Sequence, residues 1–160
     1  LRLLRRIAEA APPLAERPLG VFTDLGVNVN SADRRAALDA LAGWPQFDRL
    51  AGRVDQAEVW RRYAGAPFVL SAHGSGLDCH RTWEVLLLGA IPVVRRSPLD
   101  PLYAGLPVAI VDDWAETRLP GRLESWLAEL APLADRTRVW ARLAAPLWLE
   151  HARAPLDPVG

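Results

Sequence analysis

Between Ser71 and Asp100 the chain reads SAHGSGLDCHRTWEVLLLGAIPVVRRSPLD, so His73, Asp78, Cys79, His80, Arg81 and Glu84 crowd around two glycines, Gly74 and Gly76. Such side chains could bind a metal, attack a substrate or cradle an anion. Zinc would have to use His73, Asp78, Cys79 and His80. On a helix Cys79 and His80 point about 100° apart, which matches no usual ligand spacing, so no metal is expected. A serine hydrolase could draw on Ser75, Asp112 and His151, but HGSGL lacks the nucleophile elbow G-x-S-x-G. Cys79 beside His80 is a conceivable nucleophile, although a lone cysteine flanked by apolar residues more often packs.

The third chemistry suits the spacing better. Gly74, Ser75 and Gly76 form a loop whose backbone can approach a ligand, Asp78 can cap the helix that follows, and the N–H groups opening that helix favour anions. Within the helix CHRTWEVLLLG, the apolar residues Trp83, Val85, Leu86 and Leu87 cover most of the circumference. His80, Arg81 and Glu84, at i, i+1 and i+4, share a polar stripe at its N-terminal end. Arg81 could fork onto a diphosphate, Glu84 could accept from sugar hydroxyls, and His80 could donate to a leaving phosphate. The same residues could equally be a surface Arg81–Glu84 pair beside a histidine satisfied by backbone.

These residues must be positioned by elements, and the chain alternates between two kinds. Helical spacing over residues 1–11 ends at Pro12 and Pro13. LGVFTDLGV reads as a strand entering the loop NVNS, Ser31 can cap the helix ADRRAALDALAG, and Gly43 stops it. A short strand is expected within 47–54, then a helix opened by Asp55, then the strand FVLSA. Beyond the glycine loop and its helix come IPVV, the loop RRSPLDPLYAG and the strand LPVAIV ending in DDW. Two helices, LPGRLESWLAELA and RTRVWARLAAPLWLEHAR, close the pattern, the second kinked at Pro146. Short strands apolar on both faces, separated by helices, predict an α/β class: a doubly wound, mainly parallel sheet flanked by helices. One Rossmann-like domain over residues 1–152 is expected, with 153–160 a tail. Ligands of such sheets bind beyond the carboxyl ends of the strands, which selects TDLGVNVNS, HGSGLD, RRSPLD and DDW. Asp112, Asp113 and Trp114 either close a pocket there or form a capped turn over a core tryptophan.

Composition narrows the partners. The 19 basic and 19 acidic residues cancel, leaving no global field for nucleic acid or an anionic membrane. Every basic residue is arginine, so Schiff-base chemistry and a phosphate-loop lysine are excluded. Cys79 is the only cysteine, which suits a reducing compartment, and the cytoplasm is the expected location. No run is long and apolar enough for a membrane span. A chain that opens in mid-helix and contains no methionine reads as part of a larger polypeptide. A dinucleotide site is an alternative reading, because GSGLDC carries the first two glycines of G-x-G-x-x-G and Arg95–Arg96 end the next strand. Cys79 stands where the third glycine would be.

Over residues 68–114 the run FVLSAHGSGLDCHRTWEVLLLGAIPVVRRSPLDPLYAGLPVAIVDDW resembles the C-terminal part of exostosin-like glycosyltransferases. That family has a glycine loop, an HR-x-W-E helix, LGxIPVV, then SPLDPLY and LPV-x-IV-x-DW. The resemblance extends weakly back towards Phe22 and forward to LWLEHAR. It implies the nucleotide-sugar-binding lobe of a GT-B transferase, with no cofactor beyond the nucleotide-diphosphate sugar donor and with a glycan or other hydroxyl acceptor. By resemblance Arg81 lies near the donor diphosphate and Glu84 near donor hydroxyls. Asp78 and His80 share that motif, and Arg95 and Ser97 sit on the next loop. The acceptor-binding N-terminal lobe is expected elsewhere in the same polypeptide. A non-catalytic binding module is the remaining alternative.

Overall fold

The structure is a computed structural model that describes residues 2–26 and 32–144. Its centre is a five-stranded parallel sheet of β1 (Val21–Thr23), β2 (Phe47–Arg49), β3 (Phe68–Leu70), β4 (Ile91–Arg95) and β5 (Ala109–Val111), in the order β2-β1-β3-β4-β5. Among the described residues six α-helices flank it: α1 (Arg2–Ala10), α2 (Ala32–Leu41), α3 (Gln56–Gly65), α4 (His80–Leu87), α5 (Arg122–Leu130) and α6 (Arg136–Arg142). The chain is a doubly wound α/β domain, as its alternating pattern predicts. The order 2-1-3-4-5 is one of the two common doubly wound orders, distinct from the dinucleotide-binding order 3-2-1-4-5-6, and it reverses between β1 and β3. The tail 153–160, His151, Pro146 and Ser31 lie outside the described residues.

The two-residue period of the strands builds two cores at once. Val21, Phe68, Leu70, Ile91, Val93, Ala109 and Val111 point to one face, against Leu38 and Leu41 of α2 and Leu123 and Trp126 of α5. Their neighbours Phe22 and Val69 point to the other, against Leu4 of α1, Val59 and Tyr63 of α3, and Val85 of α4. Val94 continues that second face towards Leu86, Tyr103 and Val139 of α6. Burial on both faces explains why the strands read as unbroken apolar runs.

Local chemistry sets the helix ends that matter for the site. Asp55 caps α3 by accepting from the Glu58 N–H at 2.8 Å, and Asp135 does the same for α6 through the Arg138 N–H at 2.8 Å. Helix α4 begins at Cys79, which offers no side-chain cap, and ends where Gly89 takes a left-handed φ of 72°. The expected cap, Asp78, instead accepts from the Trp83 indole at 2.8 Å. Trp83 is half-buried and packs against the core cluster of Leu86, Val94 and Tyr103, on the core side its spacing suggests. Its ring leans on Tyr103 with centroids 5.8 Å apart.

Candidate functional site

At the carboxyl edge of the sheet, β1 leaves through Asp24, β3 through Ser71, Ala72 and His73, and β4 through Arg95, with α4 rising behind the glycine loop. The reversal of strand order opens a crevice between the first two of these exits. Asp24, Tyr63 and Arg81 meet there. Tyr63 donates its hydroxyl to Asp24 Oδ1 at 2.6 Å, and Arg81 Nε lies 2.7 Å from the same oxygen and 2.9 Å from the phenol oxygen. Arg81 Nη1 adds a longer contact of 3.6 Å to the Cys79 sulfur. Burial works against the Asp24 charge, yet the guanidinium and the phenol outweigh it and hold its carboxyl below the usual range. Burial pushes the Tyr63 phenol well above its ordinary value. For Arg81 burial opposes the charge, while Tyr63 and Asp24 more than restore it.

Arg81 is therefore a buried tie, 6% exposed, and forms neither the exposed clamp nor the surface pair with Glu84 that its position in the sequence suggests. Two of its three nitrogens bind inside the protein; Nη2 makes no hydrogen bond among the described residues. The polar stripe splits accordingly. His80 is exposed, Glu84 half-buried, and Arg81 turns inward beside Thr82, whose hydroxyl sits 2.9 Å from that of Ser71 and pins α4 to the end of β3.

A second junction is organised by Asp33 in the first turn of α2. It accepts from the His73 backbone N–H at 2.9 Å, the Trp114 indole at 3.0 Å and Arg95 Nη1 at 3.2 Å, so one carboxylate ties α2 to the ends of β3, β4 and β5. His73 Nδ1 stands 3.6 Å from the same group. Trp114 is a core residue over a 3-10 turn, Trp114–Arg118, which Asp113 and Glu116 cap reciprocally. The capped-turn alternative thus describes 112–114, with Asp112 engaged by Arg96 Nε at 2.5 Å.

The glycine loop differs in detail from a free cradle. Neither Gly74 nor Gly76 has a positive φ. Gly74 has the end of the Arg34 side chain as its nearest neighbour: a Cβ there would fall 2.7 Å from Arg34 Nη2, which would have to shift. Its N–H donates to the Gly76 carbonyl at 3.2 Å, so the amides of residues 73 and 74 are both committed within the protein. Ser75, Gly76 and Asp78 are exposed along the rest of the loop. Arg95 is 47% exposed beyond its bond to Asp33. Ser97 is used locally, donating its N–H to Asp100 at 2.9 Å and accepting from Leu99 N–H at 3.2 Å.

No protein-family model matches the chain, and no curated protein matches it significantly. Two carboxylates organise the site. Its organising residues Asp24 and Asp33 lie in or beside the loop TDLGVNVNS that the carboxyl-edge rule selects, so their neighbourhood is legible. Tyr63, on the buried side of α3, carries no local signal. Among the described residues, no three His, Cys, Asp or Glu side chains are grouped to hold a metal ion, and no helix is long and apolar enough to cross a membrane.

Proposed function

We propose that this chain is the donor-binding lobe of a glycosyltransferase, holding a nucleotide-diphosphate sugar at the carboxyl edge while an acceptor hydroxyl attacks the anomeric carbon. The reading is supported by one observation: the glycine loop and the start of α4 follow β3 at the carboxyl edge, beside the point where the strand order reverses, with His80 exposed and Arg95 half-exposed at the end of the neighbouring β4. Doubly wound sheets bind nucleotides at that place.

In this reading the leaving diphosphate is stabilised by fixed dipoles and positive groups, the helix opening at Cys79 and the side chains of His80 and Arg95. Arg81 acts as a positioning residue. Anchored on Asp24 and Tyr63, it orients the first turn of α4, and only its Nη2 is left to meet a phosphate oxygen. Glu84, one turn further along, is placed to accept from sugar hydroxyls, and the exposed Ser75, Gly76 and Asp78 rim the opening. The acceptor and the catalytic base belong to a partner lobe of the same polypeptide.

The test is calorimetric titration with UDP, GDP and their sugars, with NADPH as the comparison. Saturable binding of a nucleoside diphosphate, weakened by Arg95→Ala or His80→Ala, is the expected result. Binding of NADPH alone moves the site to the dinucleotide reading, and no binding of either class leaves an interaction module.

A further inference from the structure

At the opposite, amino edge of the sheet lies a group of arginines that makes no ion pair among the described residues. Arg17 is 7% exposed and fixed in place, donating through Nε to the Pro12 carbonyl at 3.2 Å and through Nη1 to the Ala66 carbonyl at 3.0 Å. Arg136, the first residue of α6, lies across Gly89 from it. A Cβ on Gly89 would stand 3.4 Å from Arg136 Cγ and Cδ and 3.5 Å from Arg17 Nη2, so the two side chains converge on one point. Neither guanidinium has a carboxylate within ion-pair distance among the described residues. Arg136 Nη1 is buried and finds no hydrogen-bond partner there.

Beside this pair opens a cavity of about 440 Å³ lined by Arg136, Arg5, Glu9, Thr137, Ala8 and Trp140. The Arg5 guanidinium stacks over the Trp140 ring at 4.9 Å, which holds a third positive charge at the same mouth. A buried guanidinium without a counter-charge is unfavourable. Burial and then the charge of Arg136 lower the Arg17 pKa to about 10. The cavity lining carries Arg5 and Arg136 against Glu9, and Arg17 adds a positive charge from behind, an excess that suits a phosphate group at neutral pH.

We propose that this amino-edge cavity binds a phosphate group, with the guanidinium groups of Arg5 and Arg136 that line it donating directly, the Thr137 hydroxyl beside them, and Arg17 supplying charge from behind. The site is separate from the carboxyl-edge crevice, because Ala66 and Gly89 precede β3 and β4 whereas the glycine loop follows β3. It does not depend on the donor-lobe reading. The phosphate can be a free ion or an ester on a larger molecule; both present the same oxygens.

Thermal unfolding with inorganic phosphate, matched in ionic strength by chloride, tests the site, with phosphorus NMR line broadening as a direct measure of binding. Phosphate should raise the midpoint of the unaltered chain and of Arg95→Ala, whose substitution lies at the other edge. In Arg136→Gln its affinity should fall about tenfold or more, the loss of a charge-assisted contact. Without phosphate, Arg136→Gln should unfold no earlier than the unaltered chain, since it removes a repulsion. Phenyl phosphate binding as well as the free ion identifies an ester as the natural form, and weaker binding identifies the free ion. An equal phosphate response in Arg136→Gln, a response lost only in Arg95→Ala, an equal response to acetate, or none at all would overturn the proposal.

Discussion

Arg81 Nε stands 2.7 Å from Asp24 Oδ1, joining the first turn of α4 to the chain as it leaves β1. The two residues are 57 positions apart in sequence, and Tyr63 closes the arrangement from α3 through the same carboxylate oxygen. Three elements of one face thereby share one polar junction at the crevice where a ligand of this fold binds. A junction that is fully hydrogen-bonded holds its members in one geometry, and losing a member strands the others.

Removing the guanidinium should be among the most damaging single changes. Arg81→Ala leaves Asp24 and Tyr63 largely buried without their cation, and the expected loss is about 3–5 kcal/mol. Tyr63→Phe removes one bond to the carboxylate and should cost about 1–3 kcal/mol. Chemical denaturation of each variant measures this; an Arg81→Ala loss no larger than that of a surface substitution contradicts the tie.

The same junction imposes a pH dependence. The folded-state pKa of Asp24 lies below its unfolded value, so the unfolded chain binds the proton more readily. The stability contributed by Asp24 is therefore complete above the unfolded pKa, about 4, and is lost as pH falls through the folded value. Urea midpoints followed downward from neutral pH should fall more steeply for the unaltered chain than for Asp24→Asn. Parallel curves would remove Asp24 as the source.

Asp33 should matter to both architecture and binding. Asp33→Ala leaves the Trp114 indole and the His73 N–H without their acceptor, a loss of about 1–3 kcal/mol for each donor left buried and unpaired. It also frees Arg95, so the tryptophan emission and the affinity for nucleoside diphosphates should change together. Unchanged emission from a folded variant would contradict the Asp33–Trp114 bond.

Gly74→Ala should displace the end of the Arg34 side chain at a modest cost in stability. The added methyl would meet Arg34 Nη2, which must then give up its arrangement with Nη1 3.3 Å from the Gly26 carbonyl. Arg34→Ala should restore the lost stability when combined with Gly74→Ala, a non-additivity that a double-mutant cycle detects. Strictly additive losses would point to a different constraint at Gly74.

His80→Ala tests whether the exposed end of α4 serves a ligand. An exposed side chain with no hydrogen bond among the described residues should shift stability by no more than about 0.5 kcal/mol, so a drop in donor affinity at unchanged stability is expected. A fall in stability without a change in affinity would give His80 a structural role.

Much of the scaffold is written locally. The apolar runs at Phe68–Leu70, Ile91–Arg95 and Ala109–Val111, the Asp55 cap and the Gly89 stop depend on neighbours within a few residues, and their alternation with helices suffices to predict a doubly wound parallel sheet. The crevice edge follows from that class of fold. The roles of single side chains do not. Helical spacing places His80, Arg81 and Glu84 on one stripe, but which part of the stripe turns inward depends on what α4 packs against. Asp24 and Tyr63, brought in from β1 and α3, draw Arg81 into the interior and leave His80 in solvent. Trp83 likewise keeps only its ring against the core, while its indole N–H reaches Asp78 at the surface. A buried charge settles where it finds its counter-charge, and that partner is assembled by folding over distances that no local pattern encodes.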